Sequence, residues 1–254
     1  NTLFFLLRNL GLKTNTMISK EQKQEIINDL LAKNLPLDLL VEVKDHMEEQ
    51  INHKMDFENK PFEIAYDEVK KSWEKDLELK ITFWLGKKRT NFHINILKQT
   101  EHKFLKKSLL YFLPFFITGI LINFYDKNWA KQFYYFSYLL ISANTIISVL
   151  VFYKYYNSTS IREERKISIY QKGALLYFIS GIYVIIFNLM SFDNRFEKFY
   201  NAVSSIFSGD YSISNFLAIL YTNIFIFGWV YGLHYFLQYR NTVIDLKNRI
   251  NLKL

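Results

Sequence analysis

Two histidines and two glutamates recur at spacings of three and four residues: Glu42, His46, Glu49 and His53. At about 100° per residue, these side chains fall within about 60° of one another on a helix. Carboxylate and imidazole groups together can hold a divalent metal ion or form a pH-sensitive contact surface. A solvated polar face has the same pattern, and one helix rarely encloses a metal ion. We therefore interpret these residues as a polar face; they are weak metal candidates, and we predict no cofactor.

A second group of polar residues lies inside otherwise apolar stretches. It comprises one imidazole, four amides and six hydroxyls: His234; Asn123, Asn144, Asn188 and Asn223; Thr118, Ser142, Thr145, Ser148, Ser180 and Thr222. Either these side chains line a path for a substrate, or they form hydrogen bonds between neighbouring helices. Hydrogen bonding between helices is the more frequent role, so we expect packing.

Gly228 and Gly232 form a G-x-x-x-G pattern in an apolar segment. Small residues at this spacing allow a second helix backbone to approach closely. The second backbone is either an apolar segment of the same chain near Gly181 or a second copy of the protein. The sequence leaves both alternatives open, so a homo-oligomer remains one of them.

Catalytic signatures are absent from the chain. It contains no G-x-x-x-x-G-K-[ST], G-x-G-x-x-G, H-E-x-x-H or G-x-S-x-G motif, and the lack of cysteine excludes disulfides and thiol nucleophiles. We predict that the protein is not an enzyme. Nucleic-acid binding is also not expected, because the excess positive charge lies beside apolar segments.

The second group of polar residues and the two glycines lie in four long stretches that contain no Asp, Glu, Lys or Arg. They cover residues 108–125, 132–153, 173–192 and 211–239. Since a helix of about 20 apolar residues crosses a bilayer, the sequence predicts four membrane-spanning helices. We place the spans at about 108–125, 132–153, 173–192 and 215–237, within a membrane domain of residues 108–239.

The charges between the spans predict the orientation. Lys and Arg number seven in 81–107, two in 126–131, five in 154–172, two in 193–214 and four in 240–254. This alternation follows the positive-inside rule for four crossings with both termini in the cytoplasm. Residues 196–207 predict a short helix on the outer membrane surface. Residues 240–254 predict an amphipathic cytoplasmic tail that either continues the last span or lies along the inner surface.

Residues 17–80 predict a cytoplasmic module of three amphipathic helices with a net charge of −6. Ser19 and Gln22 form a potential capping box at the first helix. Asn34 with Pro36 and Asn59 with Pro61 separate the helices. Apolar residues at helical spacing follow in the second and third helices: Leu40, Val43, Met47, Ile51 and Met55; Phe62, Tyr66, Val69, Trp73 and Leu77.

Residues 81–107 form a basic connector, which we interpret as helical. Seven of its side chains are basic and only Glu101 is acidic. Either these charges only fix topology, or they also bind anionic lipid headgroups. The residues expected to meet the headgroups are Lys87, Lys88, Arg89, Lys103, Lys106 and Lys107. Residues 1–16, which precede the first methionine at Met17, are predicted to be an upstream extension or disordered leader.

The segment LPLDLLVEVKDHMEEQINHKM, followed by Phe62, Ala65, Val69 and Trp73, resembles a known type of bacterial domain. It is similar to the small helical N-terminal domains of HAAS-like and permease-prefix proteins, over about 45 residues. The resemblance implies a cytoplasmic regulatory or protein-interaction module joined to a multi-pass membrane part. It brings no catalytic residue.

Together these patterns predict an all-α integral membrane protein with a cytoplasmic three-helix module and four transmembrane helices. The composition, rich in Lys, Asn, Ile, Phe and Tyr, favours a bacterial source and hence the inner membrane. The preferred hypothesis is a non-enzymatic membrane protein whose module binds a partner protein. The alternative is a transporter or permease subunit with a path lined by uncharged polar residues.

Overall fold

The computed structural model describes residues 18–82, 87–158 and 167–250. Among these residues the chain divides into two compact units, with the division between Leu97 and Lys98. The division falls within the predicted basic connector. The predicted leader, residues 1–16, lies outside the described residues.

Three helices form most of the first unit: α1 (Lys20–Leu31), α2 (Leu37–Phe57) and α3 (Phe62–Trp73). Ser19 and Gln22 form the predicted capping box, in which the Gln22 N–H donates to Ser19 Oγ (3.2 Å) and the Ser19 N–H donates to Gln22 Oε1 (2.9 Å). Asn34 and Asn59 adopt positive φ angles of 52° and 51° in the two turns. Asparagine tolerates this left-handed conformation better than most residues, which explains its position between the helices.

The apolar stripes of these helices form one core. Its buried residues include Ile26 and Leu30 from α1, and the predicted α2 and α3 positions Leu40, Val43, Met47, Ile51, Phe62, Tyr66 and Val69. Leu77 also lies in this core, but α3 ends at Trp73, so the helix is shorter than the pattern through Leu77 predicted. Met55 and Trp73 pack against the core while partly exposed.

The connector differs from the predicted helix over its first part. Strands β1 (Leu79–Thr82) and β2 (Lys87–Thr90) pair as an antiparallel hairpin, with Ile81 opposite Lys88. The β-branched residues of this segment suit a strand, and the helical pattern begins only at Asn91. The prediction of a connector that is helical from its start is therefore wrong for these residues.

Among the residues that the structure describes, four helices are long and apolar enough to cross a membrane, as predicted. They are α4 (Asn91–Tyr125), α5 (Lys127–Val151), α7 (Gln171–Tyr183) with the π-helical segment Val184–Leu189 that extends it, and α9 (Ile213–Ile250). A short helix, α6 (Tyr153–Ser158), follows α5, and α8 (Phe192–Phe207) lies between the last two spans. The all-α membrane-protein fold is thus confirmed.

Two aromatic-rich cores lie within the second unit. One contains Tyr134 and Tyr138 of α5 together with Phe192, Phe196 and Phe199 of α8. The other contains Tyr177 and Phe178 of α7 together with Tyr235, Phe236 and Tyr239 of α9. The apolar face of α8, predicted to lie on the membrane surface, is therefore buried against other helices of the chain. Of the four residues on which that prediction rested, only Phe207 is exposed.

The predicted tail continues the last span. Helix α9 runs to Ile250, and Val243 and Leu246 on its apolar face are buried. The final residues of the predicted tail, 251–254, lie outside the described residues.

Candidate functional site

All four residues of the predicted polar face, Glu42, His46, Glu49 and His53, are exposed on α2. His46 Nε2 lies 3.2 Å from Glu42 Oε1, and the His53 ring stacks on Phe57 with 4.7 Å between ring centroids. We call this exposed row, Glu42, His46, Glu49, His53 and Phe57, the α2 ridge. Within the described residues, no group of three or more acidic, histidine or cysteine side chains is arranged to hold a metal ion.

Ion pairs join the helices of the first unit, among them Lys23 of α1 with Glu48 of α2 at 3.5 Å. Glu68 of α3 accepts hydrogen bonds from Lys54 (2.8 Å) and Lys60 (2.7 Å), and these two cations lower its pKa to about 2. Asp29 of α1 accepts hydrogen bonds from Lys70 and from the hydroxyl of Tyr66, and both lower the pKa of its carboxyl. The Lys54–Glu68 and Lys70–Asp29 pairs join different helices and supplement the apolar core that holds these helices together.

The basic side chains of the connector lie in two places. Lys88 is exposed on the hairpin, and Lys103, Lys106 and Lys107 are exposed on α4 just before its apolar stretch. Lys87 is the first residue of β2, and Arg89 is half-buried. Long basic side chains next to an apolar span are well placed to reach lipid headgroups.

Polar residues of three spans form one hydrogen-bonded network. The Tyr177 hydroxyl of α7 donates to Asn144 Oδ1 and lies 2.8 Å from Ser148 Oγ, both on α5. Trp229 Nε1 of α9 donates to Thr145 Oγ1 over 3.0 Å. Three of the predicted polar residues thus join helices, as expected from the packing interpretation.

The G-x-x-x-G pattern is occupied by contacts within the chain. A Cβ atom added to Gly232 would collide with the backbone of Tyr177 and Leu176, and one added to Gly228 would meet Ser180 Oγ at 2.8 Å. The close approach is therefore between α9 and α7, the intramolecular alternative. The residues nearest to the two glycines are Tyr177, Leu176 and Ser180, whereas Gly181 lies against Thr145.

Other predicted polar residues are buried without a hydrogen-bond partner for some or all of their polar atoms in the described part of the chain. These atoms include Ser142 Oγ, both side-chain polar atoms of Asn188, and one oxygen each of Asn123 and Asn223. Thr222 and Asn223 also donate to carbonyls of their own helix. His234 lies beside the rings of Phe104 and Tyr111, at 5.9 and 5.8 Å, and its Nε2 is buried without a partner.

The sequence reasoning missed a contact between α5 and α8. Lys127 pairs with Glu197 and Lys131 pairs with Asp193, each at 2.7 Å. The signal was present, because the two lysines and the two acids are each four residues apart, as in two facing helices. The isolated segments give no reason to pair them, since Lys131 and Asp193 are 62 positions apart in the chain.

Comparison of the chain with protein-family models, with curated proteins and with solved structures gives no match.

Proposed function

We propose that this chain is a non-enzymatic, multi-pass membrane protein whose N-terminal unit binds a partner protein in the cytoplasm through the α2 ridge. The observation that supports this most is the exposure of the ridge on a unit whose other α2 face is buried in its own core. The resemblance of residues 35–77 to bacterial interaction modules leads to the same proposal.

The chemistry of the ridge specifies the partner surface. Glu42 and Glu49 supply negative charge, and Glu49 has no ion pair with any described residue. At the end of the ridge, the Phe57 side chain remains 49 % exposed. A basic surface with an apolar pocket complements this combination, because interface centres favour aromatic anchors surrounded by polar contacts.

Charge reversal on the ridge tests the proposal. We expect Glu42→Lys with Glu49→Lys to abolish co-purification of the partner with the full-length protein from its native membrane. The control is Glu25→Lys with Glu74→Lys, because these acids are also exposed and the total charge changes equally. Equal loss of the partner in both double variants, or retention in the first, would contradict the proposal.

We also propose that the basic connector binds anionic headgroups, because Lys103, Lys106 and Lys107 are exposed beside the apolar part of α4. Each basic residue near an anionic surface contributes about 1 kcal/mol. Replacing all three by Gln should reduce the phosphatidylglycerol retained by the purified protein. Replacing Lys20, Lys23 and Lys33 of the first unit by Gln should leave it unchanged.

A second candidate function, a path for a small polar solute, is favoured by the unpartnered buried polar atoms. Thr145 of α5 lies against Gly181 of α7 and accepts a hydrogen bond from Trp229 of α9. These three residues therefore lie at about the same depth along the three spans. Toward α8 from this depth, Ser142 lies three residues from Thr145, Asn223 six residues from Trp229 and Asn188 seven residues from Gly181. At 1.5 Å per residue, these separations along the helices are about 5–10 Å.

Variants of these unpartnered polar residues distinguish the path function from the partner-binding function. If a path exists, Asn188→Leu and Asn223→Leu should abolish uptake or resistance in cells, and deletion of residues 18–82 should preserve it. Asn144→Leu serves as the comparison, because Asn144 already accepts a hydrogen bond from Tyr177. The partner-binding function predicts the opposite result for the deletion.

A further inference from the structure

A cavity of about 670 Å³ lies where α5 begins and where the π-helical segment leads into α8. Polar side chains on its wall include Lys131, Gln132 and Asp193, and apolar ones include Tyr135, Leu189 and Phe192. This volume is typical of small-molecule sites, which combine an apolar wall with a few polar groups. None of the functions proposed above uses this cavity.

Two opposite charges stand side by side at the cavity. Lys131 Nζ and Asp193 Oδ1 are 2.7 Å apart, and their side chains are 42 % and 80 % exposed. Both charges are therefore accessible to a ligand in the headgroup layer. An ammonium donor beside a carboxylate acceptor complements a zwitterion that carries a phosphate and an ammonium group, since charge-assisted hydrogen bonds form to both.

An exposed apolar surface continues from the cavity along the spans. Tyr135 and Met190 of the cavity wall are exposed, and so are Leu139 and Ile186, one helical turn further from α8. Exposed apolar side chains on spanning helices face the hydrocarbon of the bilayer. A ligand that fits both parts must have a charged end and an apolar end.

We propose that this cavity binds the headgroup of a phospholipid with a primary ammonium group, of the phosphatidylethanolamine type. The phosphate lies at Lys131 and the ammonium group at Asp193. The acyl chains follow Tyr135 and Leu139 into the membrane. The proposal does not depend on the partner-binding or path function.

Retention of lipid by variants of the full chain tests the proposal. The protein is reconstituted in vesicles of equal phosphatidylethanolamine and phosphatidylglycerol, extracted in mild detergent, and examined by native mass spectrometry. We expect Lys131→Gln and Asp193→Asn each to lower retention of phosphatidylethanolamine and to leave that of phosphatidylglycerol, which the connector lysines bind, nearly unchanged. The expected loss is about tenfold, corresponding to one charge-assisted hydrogen bond of about 1.5 kcal/mol.

The neighbouring ion pair provides a matched control. Lys127 and Glu197 join the same two helices at the same 2.7 Å distance but do not line the cavity. Lys127→Gln and Glu197→Gln should therefore retain both lipids as the unmodified protein does. Equal losses in all four variants, or no loss in the cavity variants, would overturn the proposal.

One variant and one soluble competitor complete the test. Asp193 is largely exposed, so Asp193→Asn carries the test alone if Lys131→Gln does not fold. Soluble glycerophosphoethanolamine, which has the headgroup without acyl chains, should not displace the lipid at equal concentration. Displacement at equal concentration would assign the cavity to a soluble ligand and overturn the lipid proposal.

Discussion

Glu68 links pH to the packing of the first unit through its ion pairs with Lys54 and Lys60. Lys54 and Lys60 lower its pKa to about 2, so its favourable contribution is complete above about pH 4.5 and is lost as the pH falls toward 2. We expect amide protection of residues 54–68 in the full-length protein to fall over this interval, as measured by hydrogen exchange. Glu68→Gln should lower protection at pH 7 and reduce its response to acid. An unchanged acid response in this variant would assign the effect to other carboxyls.

At the same scale, Thr145 connects two spans through one hydroxyl. Its Oγ1 accepts a hydrogen bond from Trp229 Nε1 and donates to the Ile141 carbonyl. Thr145→Val keeps the shape and removes both bonds, so we expect a loss of about 0.6–1.7 kcal/mol in unfolding free energy. Unfolding in mixed micelles measures it. Thr118→Val is the comparison and should change little, because Thr118 is exposed on α4 and its hydroxyl bonds no other described residue.

The packing of α9 against α7 depends on the two glycines differently. A Cβ at position 232 would meet backbone atoms, which cannot move without shifting a helix, whereas a Cβ at position 228 would meet only the hydroxyl of Ser180. We expect Gly232→Ala to destabilise the membrane unit by about 1–3 kcal/mol and Gly228→Ala to have a smaller effect. Thermal unfolding in detergent measures both.

The same pair of variants tests the intramolecular role of these glycines. If the G-x-x-x-G pattern instead formed a dimer seam, Gly232→Ala would change the oligomeric state without lowering the unfolding temperature of the monomer. A change of oligomeric state alone would therefore contradict the contact between α9 and α7.

For the whole molecule, the alternation of basic loops predicts that both termini lie in the cytoplasm. The chain lacks cysteine, so single-cysteine variants can be labelled without background. We expect Asp210→Cys to react with a membrane-impermeant maleimide in intact cells, and Glu74→Cys and Asn248→Cys to react only after permeabilisation. All three positions are exposed, so differences in reactivity report the side of the membrane. The reverse pattern would contradict the predicted orientation.

Much of the fold was predictable because it depends on local patterns. The charge-free stretches predicted the spans, and the 3–4 spacing of residues such as Val43, Met47 and Ile51 predicted the core of the first unit. The α2 ridge was found for the same reason, since side chains three and four residues apart share a helix face. Strands β1 and β2 were missed because four-residue strands give a weak signal.

The sequence by itself determined which segments prefer lipid and which helix faces are apolar, because transfer from water depends on the residue types present. Only the tertiary structure decided what those faces touch. It placed α8 against Tyr134 and Tyr138, assigned Gly232 to the backbone of α7, and brought Lys131 to Asp193 beside a cavity. Such contacts join residues distant in the chain, so they follow from how the helices pack together and from no single segment.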